Sequence, residues 1–184
     1  AITVKINGQG PAGEIVADAD SKGNVKGFIH NPHVQLPNDG KHQMTSGKAV
    51  GVNGFLEVTK TSEGEDPYTS SVPLTSGEIG DDFTYYLAQS EQIPSAVGVS
   101  VFVNGDDMIG AAGGYLIQAL PGAKDEAINK VIDHIQAMPA ISETLLDGEA
   151  PETILEQVFG KGSLHFLTKL PVAFYCNCSK IKFG

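Results

Sequence analysis

Two cysteines, Cys176 and Cys178, stand one residue apart near the end of the 184-residue sequence. As thiolates they could both reach one soft metal ion, but a structural zinc site takes four such ligands, so the pair is half a set. On its own it reads more readily as two unrelated cysteines on a strand; a Cys-x-x-Cys further on would reverse that balance. His30 and His33 flank Asn31-Pro32 with no carboxylate or cysteine at ligand spacing, which reads as a turn with solvated histidines. Ser163 and His165 have the types a hydrolase needs, yet no Gly-x-Ser-x-Gly elbow occurs and no acid can be assigned. Gly8-Gln-Gly-Pro-Ala-Gly13 has the glycine density of a phosphate loop without the Gly-Lys-Ser/Thr or the helix that should follow, so it reads as a hairpin turn. Asp81 and Asp82 could hold a hard cation, but the first turn of a helix favours carboxylates anyway. His42 and His134 are expected on the surface. Taken alone, these residues give no support for catalysis.

The first 78 residues read as glycine-punctuated strands: Thr3–Ile6, Glu14–Ala17, Val25–Ile29, Phe55–Thr59 and Ser70–Leu74, the last placed at a sheet edge by Pro73. A helix is expected to open at Gly80-Asp81-Asp82, with Phe83, Tyr86 and Leu87 on one stripe. Ala96–Val103 reads as a buried strand, and Asn104-Gly105 as the turn that pairs it with the segment Met108–Leu120. Gly110, Gly113 and Gly114 in that partner suggest a bulge or a close backbone approach. Beyond Pro121-Gly122 the period changes. Ile128, Val131, Ile132 and Ile135 mark an amphipathic helix ending before Pro139. A second helix should start at Ser142 as N-cap and end at Gly148. A third has Pro151 at its start, Gly160 past its end, and Ile154, Leu155 and Val158 as its stripe. Helices below about 12–15 residues are marginal alone, so all three must dock on something. Leu170–Cys178 reads as a strand leading into the cysteine pair.

Composition narrows the function classes. The 12 basic residues, all lysine, face 22 acidic ones, a net charge of −10. Phosphate neutralisation on nucleic acid and attraction to anionic membranes are therefore not expected, nor is bidentate arginine recognition. No signal peptide or membrane span is apparent, which reads as a cytoplasmic chain with reduced or metal-binding thiols. With 41% hydrophobic residues the chain is globular.

Several segments together resemble the family of the 33 kDa chaperonin, the redox-regulated heat-shock holdase. They are Gly8-Gln-Gly-Pro-Ala-Gly13 with Val16-Ala-Asp18, Gly77-Glu-Ile-Gly-Asp-Asp-Phe-Thr-Tyr-Tyr-Leu87, Ser90-Glu-Gln-Ile-Pro-Ser95, Gly110-Ala-Ala-Gly-Gly-Tyr-Leu-Ile-Gln118, Ala150-Pro-Glu-Thr-Ile-Leu155 and Cys176-Asn-Cys-Ser179. The resemblance implies an α+β fold: an antiparallel β-sheet core with a packed helix over 1–122, a helical linker over 123–162, and from 163 to 184 the start of a small zinc-type redox domain. It implies further chain before Ala1 and a second cysteine pair after Cys178. It implies zinc on Cys176 and Cys178 in the intact reduced protein, and oxidation of the same cysteines as the switch. The partners implied are unfolding proteins, with a homodimer on activation. On undocking, the stripes Ile128, Val131, Ile132 and Ile135, and Ile154, Leu155 and Val158, would be the client-binding surface. A constitutive apolar binding module and a small hydrolase using Ser163 and His165 stand as alternatives.

Overall fold

The computed structural model describes residues 1–36, 46–105 and 108–176; His42 and Cys178 lie outside that range. The fold is α+β with antiparallel sheets, as expected. It divides into two compact units, one made of Ala1–Ser90 with the stretch from Thr168 onward, the other of Glu91–Leu167. Thus the hairpin preceding residue 122 and the helices following it belong to the same unit.

In the first unit, β1 (Ile2–Asn7), β2 (Ile15–Ala19), β3 (Asn24–Ile29), β4 (Phe55–Lys60), β5 (Tyr68–Pro73) and a two-residue β8 (Ala173–Phe174) form one sheet in the order β5-β4-β1-β2-β3-β8. Neighbours pair antiparallel, except β8, which runs parallel to β3. Period-two alternation places Ile6, Leu56 and Val72 side by side on one face, with Val4 and Val58 next along. Lys5, Glu57, Thr3, Asp18 and Lys26 take the other, with ion pairs Lys5–Glu14 at 2.9 Å and Lys26–Asp18 at 3.5 Å.

The apolar face is covered by α2 (Ile79–Gln89), which seats Tyr86 in the core, with Ile79, Phe83, Tyr85 and Leu87 packed around it. β5 lies at a sheet edge with its Pro73, as expected. The glycine loop is the β1–β2 connection. Its Gly10 and Ala12 N–H groups donate to the carbonyls of Val50 and Ala49, satisfying orphan acceptors at the end of α1 (Ser46–Val50).

In the second unit, β6 (Ser95–Val103) and β7 (Ile109–Gln118) form the hairpin, in register from Ser95↔Gln118 to Phe102↔Ala111. The register then jumps to Val103↔Ile109, leaving Gly110 as the extra residue of a bulge. The turn is wider than Asn104-Gly105 alone, since Asn104 N–H donates to Met108 O. Gly113 is a close-approach site, because a Cβ there would collide with Leu145. The helices are α3 (Asp125–Ala137), α4 (Ile141–Leu146) and α5 (Pro151–Phe159). As their lengths require, they dock: α4 on both strands, α3 on α5.

Three expectations change. Ser142 is not an N-cap; the cap is Ala140, and Ser142 sits buried inside α4 with its hydroxyl 2.6 Å from that of Ser100. β6 is not buried on both faces, because α4 covers only one. The strand expected over Leu170–Cys178 shrinks, among the described residues, to Ala173–Phe174.

Candidate functional site

The stretch Gly77–Leu87, the most distinctive in the sequence, organises the fold. Glu78 reaches the start of α1, where its carboxylate accepts from Ser46 Oγ at 2.7 Å and Gly47 N–H at 2.9 Å. Asp82 is 1% exposed. Its Oδ1 accepts from Thr75 N–H, Thr75 Oγ1 and Ser76 N–H, and its Oδ2 from Gly77 N–H at 2.9 Å. Helix-start electrostatics therefore explains Asp81, which is exposed, but not Asp82, whose oxygens are engaged by protein donors and so are poorly placed to bind a cation.

At the cysteine end, β8 is fixed to β3 by Ala173 N–H to Gly23 O at 3.0 Å and Tyr175 N–H to Val25 O at 2.9 Å. The approach is close: Gly23 has φ +85°, and a Cβ there would collide with the Pro171 carbonyl. Asp20 holds the turn, accepting from Lys22 N–H, Asn24 N–H and Asn24 Nδ2, and the Asn24 side chain keeps its carboxyl below the usual range. Cys176 follows directly and is exposed. No group of three or more His, Cys, Asp or Glu suited to a metal is assembled among the described residues. The donor set in the sequence is the two thiols of Cys176 and Cys178, which suits half of a tetrahedral thiolate site. Ser163, His165, His30 and His33 are exposed.

Apolar surface is displayed in three places. Along β6 and β7, Val99, Val101, Val103, Ile109 and Leu116 are all about half exposed or more, with Val101 at 57%. The register lines Val97, Val99 and Val101 against Leu116, Gly114 and Ala112, so the face turned away from α4 carries no polar side chain over this span. The sequence hides this face because a run of alternate valines with small residues between them looks buried on both sides. Ser100 and Gly113 are where the helix comes close, whereas Gly98 makes room for Tyr115, and small residues on the other face, Ala112 and Gly114, keep the pattern from telling the sides apart.

The second display is the stretch Phe166 to Tyr175, in which Phe166, Leu167, Leu170, Val172, Phe174 and Tyr175 are all exposed. The third is the helix pair. Ile154 and Val158 are buried, Ile128, Val131, Ile135 and Leu155 are half-buried, and Ile132 is exposed.

The α3–α5 pair has a specific tie. His134, expected on the surface, is half-buried, with Nδ1 2.6 Å from Val158 O. A carbonyl only accepts, so Nδ1 carries the proton, and the bond satisfies one of the last carbonyls of α5. His134→Ala is expected to weaken this pair by about 1 kcal/mol. Amide exchange should quicken over 125–137 and 151–159 and stay unchanged in the β1–β5 sheet; equal protection in both proteins would refute the tie.

Two β-layers that each leave apolar surface uncovered, with no described cluster of acid, base and nucleophile, define an α+β protein built around exposed apolar strands. The family model described as Hsp33 protein matches residues 1–184, and the chain belongs to that family. The 33 kDa chaperonin of Lactiplantibacillus plantarum is 55% identical over 183 residues, covering all of this chain and 62% of the relative. That of Listeria innocua is 50% identical over 187 residues, covering all of this chain and 63% of the relative. The crystal structure of the 33 kDa chaperonin from Thermotoga maritima superposes with a TM-score of 0.87 at 35% identity, covering 99% of this chain and 62% of that one. The chain thus spans less than two thirds of the length of these relatives. No helix among the described residues is long and apolar enough to cross a membrane.

Proposed function

We propose that the protein to which this chain belongs is a holdase that captures unfolding polypeptides and keeps them from aggregating, under control of cysteine oxidation. The observation that carries the capture half is the β6–β7 face, a continuous uncovered apolar surface of the kind that binds other apolar surfaces. Family membership and the names of the relatives support the chaperone class.

The control half rests on Cys176 and Cys178. In the reduced protein the two thiolates, with a second pair from further chain, suit zinc, whose binding free energy would contribute directly to folding the C-terminal segment. Oxidation of two thiols to one disulfide gives two electrons to one peroxide, which leaves as water, and removes both ligands. The segment after Leu167 would then lose its support, and the α3–α5 pair would open, adding Ile128, Val131, Ile132, Ile135, Ile154, Leu155 and Val158 to the displayed surface. A net charge of −10 helps keep such a state soluble. A cytoplasmic setting, dimerisation on activation, and neither nucleic acid nor membrane as partner go with this reading.

Light scattering from a thermally unfolding client tests it. Full-length reduced protein is expected to suppress scattering weakly and peroxide-treated protein strongly, whereas Cys176→Ser/Cys178→Ser should not respond to peroxide. Equal suppression by reduced and oxidised protein would overturn the switch. It would favour the second reading, a constitutive apolar module, which the already uncovered β6–β7 face supports.

A further inference from the structure

The two edges of the six-stranded sheet are guarded differently. β5 closes one edge with Pro73, which has no N–H to offer. β3 at the other side has no proline from Asn24 to Ile29, and among the described residues β8 pairs with its first two, Asn24 and Val25.

The alternation of the ladder shows what is left open. His30 N–H donates to Glu14 O and Asp20 N–H to Asn24 O, so the even-numbered backbone groups of β3 face β2. Val25 O accepts from Tyr175, so the odd-numbered groups face outward. The N–H and C=O of Gly27 and Ile29 therefore point to an edge that, among the described residues, β8 does not reach, flanked by the exposed side chains of Phe28 and Ile29. Such a row is a template for another strand.

The strand already there shows what kind of occupant fits. β8 is short and apolar, and side chains here contribute little: Phe174 is 75% exposed and Val172, just before the strand, 71%. Its hold comes through backbone hydrogen bonds, which any extended chain can make.

We propose that the outer edge of β3 is a strand-addition site, covered in this state by β8 over Asn24 and Val25 and taken over by an extended apolar segment of an unfolding polypeptide. The proposal rests on the chaperone reading and deepens it, adding a backbone-directed mode to capture by apolar surface. It also gives Cys176 a lever: among the described residues the bond to β3 nearest to it is that of Tyr175, just past β8, so a displacement of Cys176 pulls on that bond first.

Amide exchange on the full-length, peroxide-treated protein tests this, with carboxymethylated α-lactalbumin as a permanently unfolded probe. Exchange at Gly27 and Ile29 is expected to slow by at least about tenfold on binding, while Phe28 and His30, already bonded to β2, stay as they were. Ala173→Pro, which deletes the donor to Gly23, should raise capture by the reduced protein. Gly27→Pro, which deletes an outward N–H and no bond to β2, should lower it.

Probe binding with Gly27 and Ile29 unchanged in exchange overturns the proposal and leaves the chaperone reading standing. A failure to bind the probe or to suppress aggregation in either redox state overturns the chaperone reading and this inference with it. The exchange measurement needs no variant, so a fold defect in Gly27→Pro does not blunt it.

Discussion

Asp82→Ala is expected to destabilise the first unit by at least about 3 kcal/mol, because each buried donor left without an acceptor costs roughly 1–3 kcal/mol and three backbone N–H groups and a hydroxyl converge on this carboxylate. That is a large share of the roughly 5–15 kcal/mol that holds an ordinary domain folded. The loop 75–77 leads into Glu78, which caps α1, so the damage should spread from α2 to α1. Asp82→Asn should be nearly as harmful, since its amide NH2 would face donors. Asp81→Ala, one residue earlier and exposed, removes only a favourable helix-start charge and should cost less than about 1 kcal/mol. Urea unfolding of the three variants checks this; similar midpoints for Asp81→Ala and Asp82→Ala would refute it.

The second large effect is expected at Leu56, which is 0% exposed between Ile6 and Val72. Leu56→Ala removes the centre of the face on which α2 rests and leaves a cavity, at about 2–5 kcal/mol. Its neighbour Phe55 is larger but 56% exposed, and Phe55→Ala should cost clearly less. Denaturant midpoints again decide, and a greater loss at Phe55 than at Leu56 would mean that the sheet's inner face is assigned to the wrong residues.

Strand alternation makes most of the first sheet legible in the amino-acid sequence itself. A one-residue slip would turn every apolar side chain outward, so the pattern from Thr3 to Ile6 and from Phe55 to Thr59 leaves little freedom. Proline and glycine likewise announce the ends of α3 and α5 and the edge position of β5. What stays hidden depends on distant partners. Asp82 looks like any acidic residue in a first turn until the loop 75–77 is seen folding onto it. Ser142 has the chemistry of a cap, and its use as a buried partner of Ser100, 42 residues away, has no local mark. β6 reads as doubly buried when burial is inferred from the strand alone, whereas the number of covered faces depends on where α4 lies. β8 has no sequence signal as a parallel addition to β3, since two residues carry no period. For the thiols, the spacing is visible in the sequence, and the structure adds the position of Cys176 at the end of that added strand.

The patch beneath α4 has its own consequence. Ser100 and Gly113 lie opposite each other there, a hydroxyl and a bare backbone. The helix makes its closest approach over this smooth spot, with Ser142 on Ser100 and Leu145 over Gly113. The same face carries Phe102, Tyr115 and Ile117 around that spot, all half-buried, so if the helix ever lifts away, newly wetted hydrocarbon would lie on the strands as well as on Ile141 and Leu145 of the helix. Adhesiveness gained by that movement would be shared between the short arm and the strands it leaves, while the valine-lined side of the hairpin stays as it was.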